Sequence, residues 1–207
     1  MSGRERILAA VRRASPPPTP LPEVPRFDEA LPEPGELFAA SLARMGGRLT
    51  AAEPGADLGA LVHRLHPTAK VICSATPEVP GNRELAAVTA PMQLDDVDVA
   101  VVRAVCGVAE TGSVLLTEAQ LGVIALGYLA QHIVVLLDPA AIIGNLHHAF
   151  TRPEPVEAGY TVLMTGPSAT ADIEGVLIHG AQGVRSLTVV LTPPAAPAAQ
   201  PTTTRNT

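Results

Sequence analysis

Residues 131–150 read QHIVVLLDPAAIIGNLHHAF, and the step inside this stretch decides the fold. Ile133 to Leu137 is an unbroken apolar run rich in β-branched residues. It lacks the polar alternation of a half-exposed strand, so it reads as a strand buried on both faces. Asp138–Pro139 ends it. Proline at an early helical position costs no hydrogen bond, so a helix is expected over 139–150. Outward from this unit the pattern repeats. AKVICSA (69–75), VDVAVVRAV (97–105), SVLLTE (113–118), YTVLMTG (160–166) and SLTVVLT (186–192) read as strands. ELFAASLARMG (36–46), LGALVHRLH (58–66) and SATADIEGVLIHG (168–180) read as helices. Apolar strands alternating with helices imply an α/β fold, a mostly parallel sheet with helices on both faces.

The 207 residues are 47% hydrophobic but hold three Phe, two Tyr and no Trp, so the core must be built from Val, Leu, Ile and Ala. Net charge is −6 and the basic residues are scattered, which argues against nucleic-acid binding. Gly, Gln, His or Asp interrupts every apolar run well before the roughly 18 residues of a membrane span, and MSGRERILAAVRRAS has no signal-peptide core. A soluble, cytoplasmic protein is expected. Cys73 and Cys106 stand far apart in apolar surroundings and form no CxxC pair. Two thiols cannot hold an iron–sulfur cluster that needs four, and they read as inert core residues.

Three regions are expected. Residues 1–35 comprise a short helix over 3–14, with Ile7, Leu8 and Val11 on one side, and a segment with eight prolines from Pro16 to Pro34. That segment is an extended spacer, or an arm lying on a surface. Residues 36–192 are the α/β domain, and residues 193–207 a disordered tail.

Chemistry-bearing residues cluster in two places. In TGPSATADIEGVLIHG (165–180) a strand runs through a small-residue turn towards an expected helix start carrying Asp172 and Glu174. Such a start can bind an anion through Ser168 and Thr170, or be an ordinary helix N-terminus. In VAETGSVLL (108–116), the glycine-bracketed Glu110 is either a general base, nucleophile or hydroxyl-binding group, or a solvated turn residue. His132 opens the clearest strand, as a capping or core histidine or as a ring facing the same site as Glu110. His147 and His148 are adjacent, about 100° apart on a helix, and make no two-ligand metal face. Cations are scarce: Lys70 is the lone lysine, and Arg152 the lone arginine between Arg103 and Arg185. Neither GxGxxG nor GxxxxGK[ST] occurs, which disfavours classical nicotinamide binding and P-loop chemistry.

AETGS before an apolar strand, then QHIVVLLDPAAIIGNL, then TGPSATADIEGVLIHGAQGVRSLTVVL, resemble the LUD-domain family, and within it the lactate utilisation protein C (LutC, YkgG-like) group. The resemblance covers about residues 85–192. It implies a fold of the NagB/RpiA/CoA-transferase type and a part in oxidising L-lactate to pyruvate beside iron–sulfur partner proteins. The clusters belong to those partners, so this chain is expected to bind no cofactor and no metal itself. The family pattern marks Glu110, Thr111, Gly112, His132, Gly166, Pro167, Ser168, Thr170, Asp172, Glu174, His179 and Gly180 without assigning their roles; Glu110 is taken as the catalytic candidate and the others except Pro167 as ligand-binding candidates. Ser113 stands where threonine is common. EAQLGVIALGYLA (118–130) lacks the basic residue that many relatives carry there, removing an anion partner.

Three functions stay in view. The first is a cluster-free subunit of a lactate-oxidising system. The others are a stand-alone small-acid or thioester enzyme on a CoA-transferase-like scaffold, and a metabolite-sensing regulator. A small carboxylate is the ligand class common to them.

Overall fold

The computed structural model describes residues 2–16, 19–20, 22–28, 32–172, 174–180 and 183–193. The chain begins with α1 (Gly3–Ala14), capped by the reciprocal bonds of Ser2 and Glu5. After the proline segment come α2 (Pro34–Arg44), β1 (Arg48–Ala51), α3 (Leu58–Leu65), β2 (Ile72–Ser74) and β3 (Val99–Arg103). A first excursion makes the hairpin β4 (Cys106–Val108) and β5 (Ser113–Thr117), then two helical turns, α4 (Glu118–Leu121) and α5 (Leu126–Leu129). The chain returns as β6 (His132–Leu137). A second excursion runs through β7 (Ile142–Ile143), α6 (Leu146–Phe150), α7 (Pro153–Glu157), β8 (Thr161–Met164) and the short pair β9 (Ala169–Thr170) and β10 (Ile178–His179), before β11 (Ser186–Leu191).

The central sheet has strand order β1-β11-β6-β3-β2, and every pairing in it is parallel. Its residues alternate between two apolar layers. Val99, Val101, Val134, Leu136 and Val190 pack under α3, whose Val62 is buried against them. Ala100, Val102, Ile133, Val135, Leu137 and Val189 face the other way, towards Phe38 and Leu42 of α2, Leu121, Leu126 and the strand β5. This is why Ile133–Leu137 has no polar alternation: both faces are covered. The helices do lie on both faces, and on one of them they share the cover with a second sheet of order β7-β4-β5-β8. In that sheet SVLLT and TVLM pair antiparallel with each other. Phe38 is fully buried in this layer, so Phe38→Ala is expected to cost about 3–5 kcal/mol.

Two expected helices are overturned. Residues 139–150 form a 3-10 turn (Pro139–Ala141), then β7 beside β4, and only then the short α6. Ile142 and Ile143 pair with Gly107 and Val108, and the Asn145 side chain accepts from the His148 N–H to start α6 afresh. Residues 168–180 form the pair β9–β10 joined by a loop, with no helix among the described residues. Gly166, Gly175, Gly180 and Glu174 all take positive φ, and the Thr170 hydroxyl bonds both the Asp172 carboxylate and the Asp172 N–H. Such local side-chain bonds compete with helix formation. A helix over 168–180 would bury Ile173, Val176 and Leu177 as one stripe; Val176 and Leu177 are instead exposed, and Ile173 lies outside the described residues. The tail expected from residue 193 onward also lies outside them beyond Pro193.

Candidate functional site

Glu110, Thr111 and Gly112 form the tight turn between β4 and β5, where Gly112 N–H donates to the Val108 carbonyl (2.9 Å). The Glu110 N–H donates to Gly144 O (3.0 Å), and its exposed carboxylate accepts from the Leu146 N–H (3.2 Å). The carboxylate thereby serves the first turn of α6. The Thr111 hydroxyl is buried without a partner among the described residues. The Gly112 carbonyl accepts from the Thr165 hydroxyl at 2.9 Å, so the two family-like segments do meet.

Their meeting is packed and not open. A Cβ on Gly112 would lie 2.2 Å from the Leu42 nitrogen, and one on Gly166 1.9 Å from the Met45 carbonyl. Both glycines have positive φ, and both press against the C-terminal turn of α2. Glycine is required here by close backbone approach, whatever else the motifs do.

Beyond Gly166 the second segment lines a cleft of about 380 Å³ together with Met45, Tyr128, Val162 and Met164. Gly166, Pro167 and Ser168 belong to its wall, which carries no charged side chain, and Glu110, Thr111 and Gly112 are not part of it. Ser168 N–H donates to Val184 O (2.8 Å) and Gly180 N–H to Ser168 O (2.6 Å). Ser168 and Thr170 therefore present no helix N-terminus, so the helix start that an anion site there would need is absent among the described residues. Thr170, Asp172 and Glu174 line the loop beyond the cleft, and the exposed His179 pairs with Ala169 across the β9–β10 ladder.

His132 lies elsewhere. It is on the α3 side of the central sheet, whereas the β4–β5 hairpin packs on the other side, so its ring and Glu110 do not share a site. His132 stacks on His66 with ring centroids 4.6 Å apart, and its Nδ1 bonds the Ser186 hydroxyl at 2.8 Å. Desolvation lowers the pKa of both rings, reinforced for His66 by His132 and for His132 by Arg185. His66 Nε2 is buried with no partner among the described residues.

The proline segment is more than a spacer near its end. Asn145, 3% exposed, donates through Nδ2 to the Arg26 carbonyl at 2.7 Å. Asp28 pairs with His148, and Phe27, held at φ +52°, lies 5.0 Å from the His147 ring. The adjacent histidines thus fasten the arm to α6, next to the turn that carries Glu110.

A different constellation lies at the carboxyl edge of the central sheet, where α/β folds place their ligands. Arg103, the last residue of β3, donates through Nε to Glu78 Oε1 at 2.7 Å, and its Nη2 lies 2.5 Å from the same oxygen in an ion pair. The Thr76 hydroxyl bonds the other Glu78 oxygen. These side chains line a crevice of about 380 Å³ whose far wall is Ala119 and Gln120 of α4. Sequence reasoning noted Arg103 only as a scarce cation and passed over Thr76, Glu78 and Gln120. The available signal was an arginine closing an otherwise apolar parallel strand, VAVVR.

The thiols do not fit an iron–sulfur cluster. Cys73 belongs to the main core and Cys106 to a separate small cluster, both fully buried. Burial pushes both thiols up, Cys106 to about 11. Among the described residues no three His, Cys, Asp or Glu are grouped to hold a metal ion, and no helix is long and apolar enough to cross a membrane.

Comparison with known proteins gives a family and a fold. The family model of the LUD domain matches residues 82–192, more than half of the chain. A crystal structure of a DUF162 family protein from Deinococcus radiodurans is similar at 18% identity and a TM-score of 0.57, covering 75% of this chain and 94% of that one. No curated protein matches this chain.

Proposed function

The chain belongs to the LUD domain family, which is associated with lactate utilisation, and on that premise we propose that it is the cluster-free subunit of an L-lactate-oxidising system. The family match across 82–192 carries this reading. Lactate oxidation to pyruvate releases two electrons, so an acceptor is required, and the two thiols are placed as core residues. Electron transfer is accordingly assigned to iron–sulfur partner proteins, and this chain is assigned substrate binding or assembly.

Glu110 keeps a proposed part. Its carboxylate is exposed beside α6 and the docked arm, at a surface where a partner can reach it. The test is L-lactate-dependent dye reduction by this protein alone, by the iron–sulfur lactate utilisation proteins alone, and by the mixture. Activity only in the mixture is the expected result, and Glu110→Gln in that mixture then reads the carboxylate's part. Turnover by this chain alone would favour the stand-alone enzyme, and an unchanged partner rate would favour a regulator; either sinks the subunit reading.

A further inference from the structure

We propose that the crevice beside Arg103 is a binding site for a small monocarboxylate of the 2-hydroxy acid class; the choice of L-lactate within that class rests on the lactate-utilisation reading. A guanidinium has five N–H donors. Glu78 Oε1 accepts from Nε and lies against Nη2, which fixes the plane of the group. The remaining contacts are Nη1 to Thr192 O at 3.3 Å and Nη2 to Pro193 O at 3.5 Å, both at the long limit for N–H···O bonds. An incoming carboxylate would replace two weak carbonyl contacts by shorter, charge-assisted ones.

A second donor stands on the opposite wall. Gln120 is anchored through Oε1, which accepts from the Thr117 N–H (3.2 Å) and hydroxyl (2.7 Å). Its Nε2 has no partner among the described residues and is left to bond a carboxylate or hydroxyl oxygen. Ala75, Pro77, Ala104 and Ala119 supply small apolar surface for a short carbon chain. Charge sets the ligand class. The charge of the single guanidinium is already matched by Glu78, so the crevice disfavours a multiply charged ligand such as a diphosphate. The apolar cleft at Gly166–Ala169 offers no charged side chain for the same purpose. Glu78 positions Arg103, and the site sits at the carboxyl ends of β2 and β3, on the edge where a parallel sheet exposes its functional loops.

The test is a titration of the full chain with L-lactate, with its methyl ester as the uncharged control, followed by backbone amide NMR and calorimetry. L-lactate is expected to shift the amides of Thr76, Arg103 and Gln120, and the ester is expected to leave them in place. Ala119→Phe fills the mouth without touching the ion pair and should weaken L-lactate binding about ten- to a hundredfold at unchanged Tm. The paired variant Glu78→Gln/Arg103→Gln keeps the crevice neutral and should abolish binding. Shifts confined to other residues, equal binding of the ester, no binding of L-lactate, or full affinity in Ala119→Phe would each overturn the site. The dye-reduction mixture separates this from the subunit reading. Lactate bound at Arg103 with no rate in the mixture leaves the site standing and removes the subunit. A working mixture with no shift at Arg103 does the reverse.

Discussion

The two ends of the central sheet carry polar groups of opposite kinds. At the carboxyl edge Arg103 and Glu78 are charged, paired and open to a crevice. At the amino edge His66 and His132 are stacked, desolvated and paired in part, with His66 Nε2 left without a partner among the described residues. The same strands, β3 and β6, reach both places. Burial of a charged pair is tolerated where each charge has a partner, whereas burial of imidazoles is tolerated because they can stay neutral. The histidine end is therefore weakened as the rings are forced to take up protons.

The sharpest way to break this contrast is Glu78→Ala. It strands a guanidinium whose side chain is 22% exposed, and a loss of about 3 kcal/mol is expected by chemical denaturation. Glu78→Gln/Arg103→Gln should recover most of that loss, because neutral partners leave no buried charge. An intermediate effect belongs to Ser186→Ala, which removes the hydroxyl bonded to His132 Nδ1 and should cost about 1 kcal/mol.

Acid sharpens the other end. Both histidines have folded-state pKa values below the unfolded 6.5. Above that pH they are neutral in both states. As the pH falls below about 6.5 the unfolded chain takes up protons that the folded chain refuses, so stability drops with each step towards the folded values. Arg48 and Arg185 add to the depression, and Asp98 opposes it at His132. Denaturation curves at pH 7.5 and 5.5 should show this loss, and His66→Phe should shrink it while removing the orphaned nitrogen. The smallest effect is expected at the exposed pair Arg83–Asp96, where Asp96→Asn should change stability by no more than about 0.5 kcal/mol. A larger change there would mean that the surface pair, and not burial, governs the electrostatics.

The parallel strands were legible because burial on both faces writes itself as continuous apolar sequence, as in Ile133–Leu137 and Val99–Val102. The second excursion was not. Ile142–Ile143 is a short apolar fragment whose partners, Gly107 and Val108, lie far away in sequence, and Ile178 belongs to a two-residue strand; a helical period fitted both equally well. AETGS and GPSA were visible as motifs, yet their glycines answer to backbone atoms of Leu42 and Met45, a contact no local pattern encodes. Arg103 was visible as a residue but not as a site, since Glu78 and Gln120 join it only through the sheet's topology.

The strand order has a consequence for how the protein is made. Of the strands in the central sheet β1 and β2 are synthesised first, and they take its two outer positions. Among the described residues β1 has a single neighbour, β11, which follows the other strands of this sheet in sequence. One flank of the growing sheet therefore stays unsealed until β11 has emerged, a topology of long contact order that folds slowly and exposes its edges meanwhile. A fragment starting at residue 82, where the family match begins, would lack both guards. It would present bare flanks on β3 and β11, an invitation to pair with other chains.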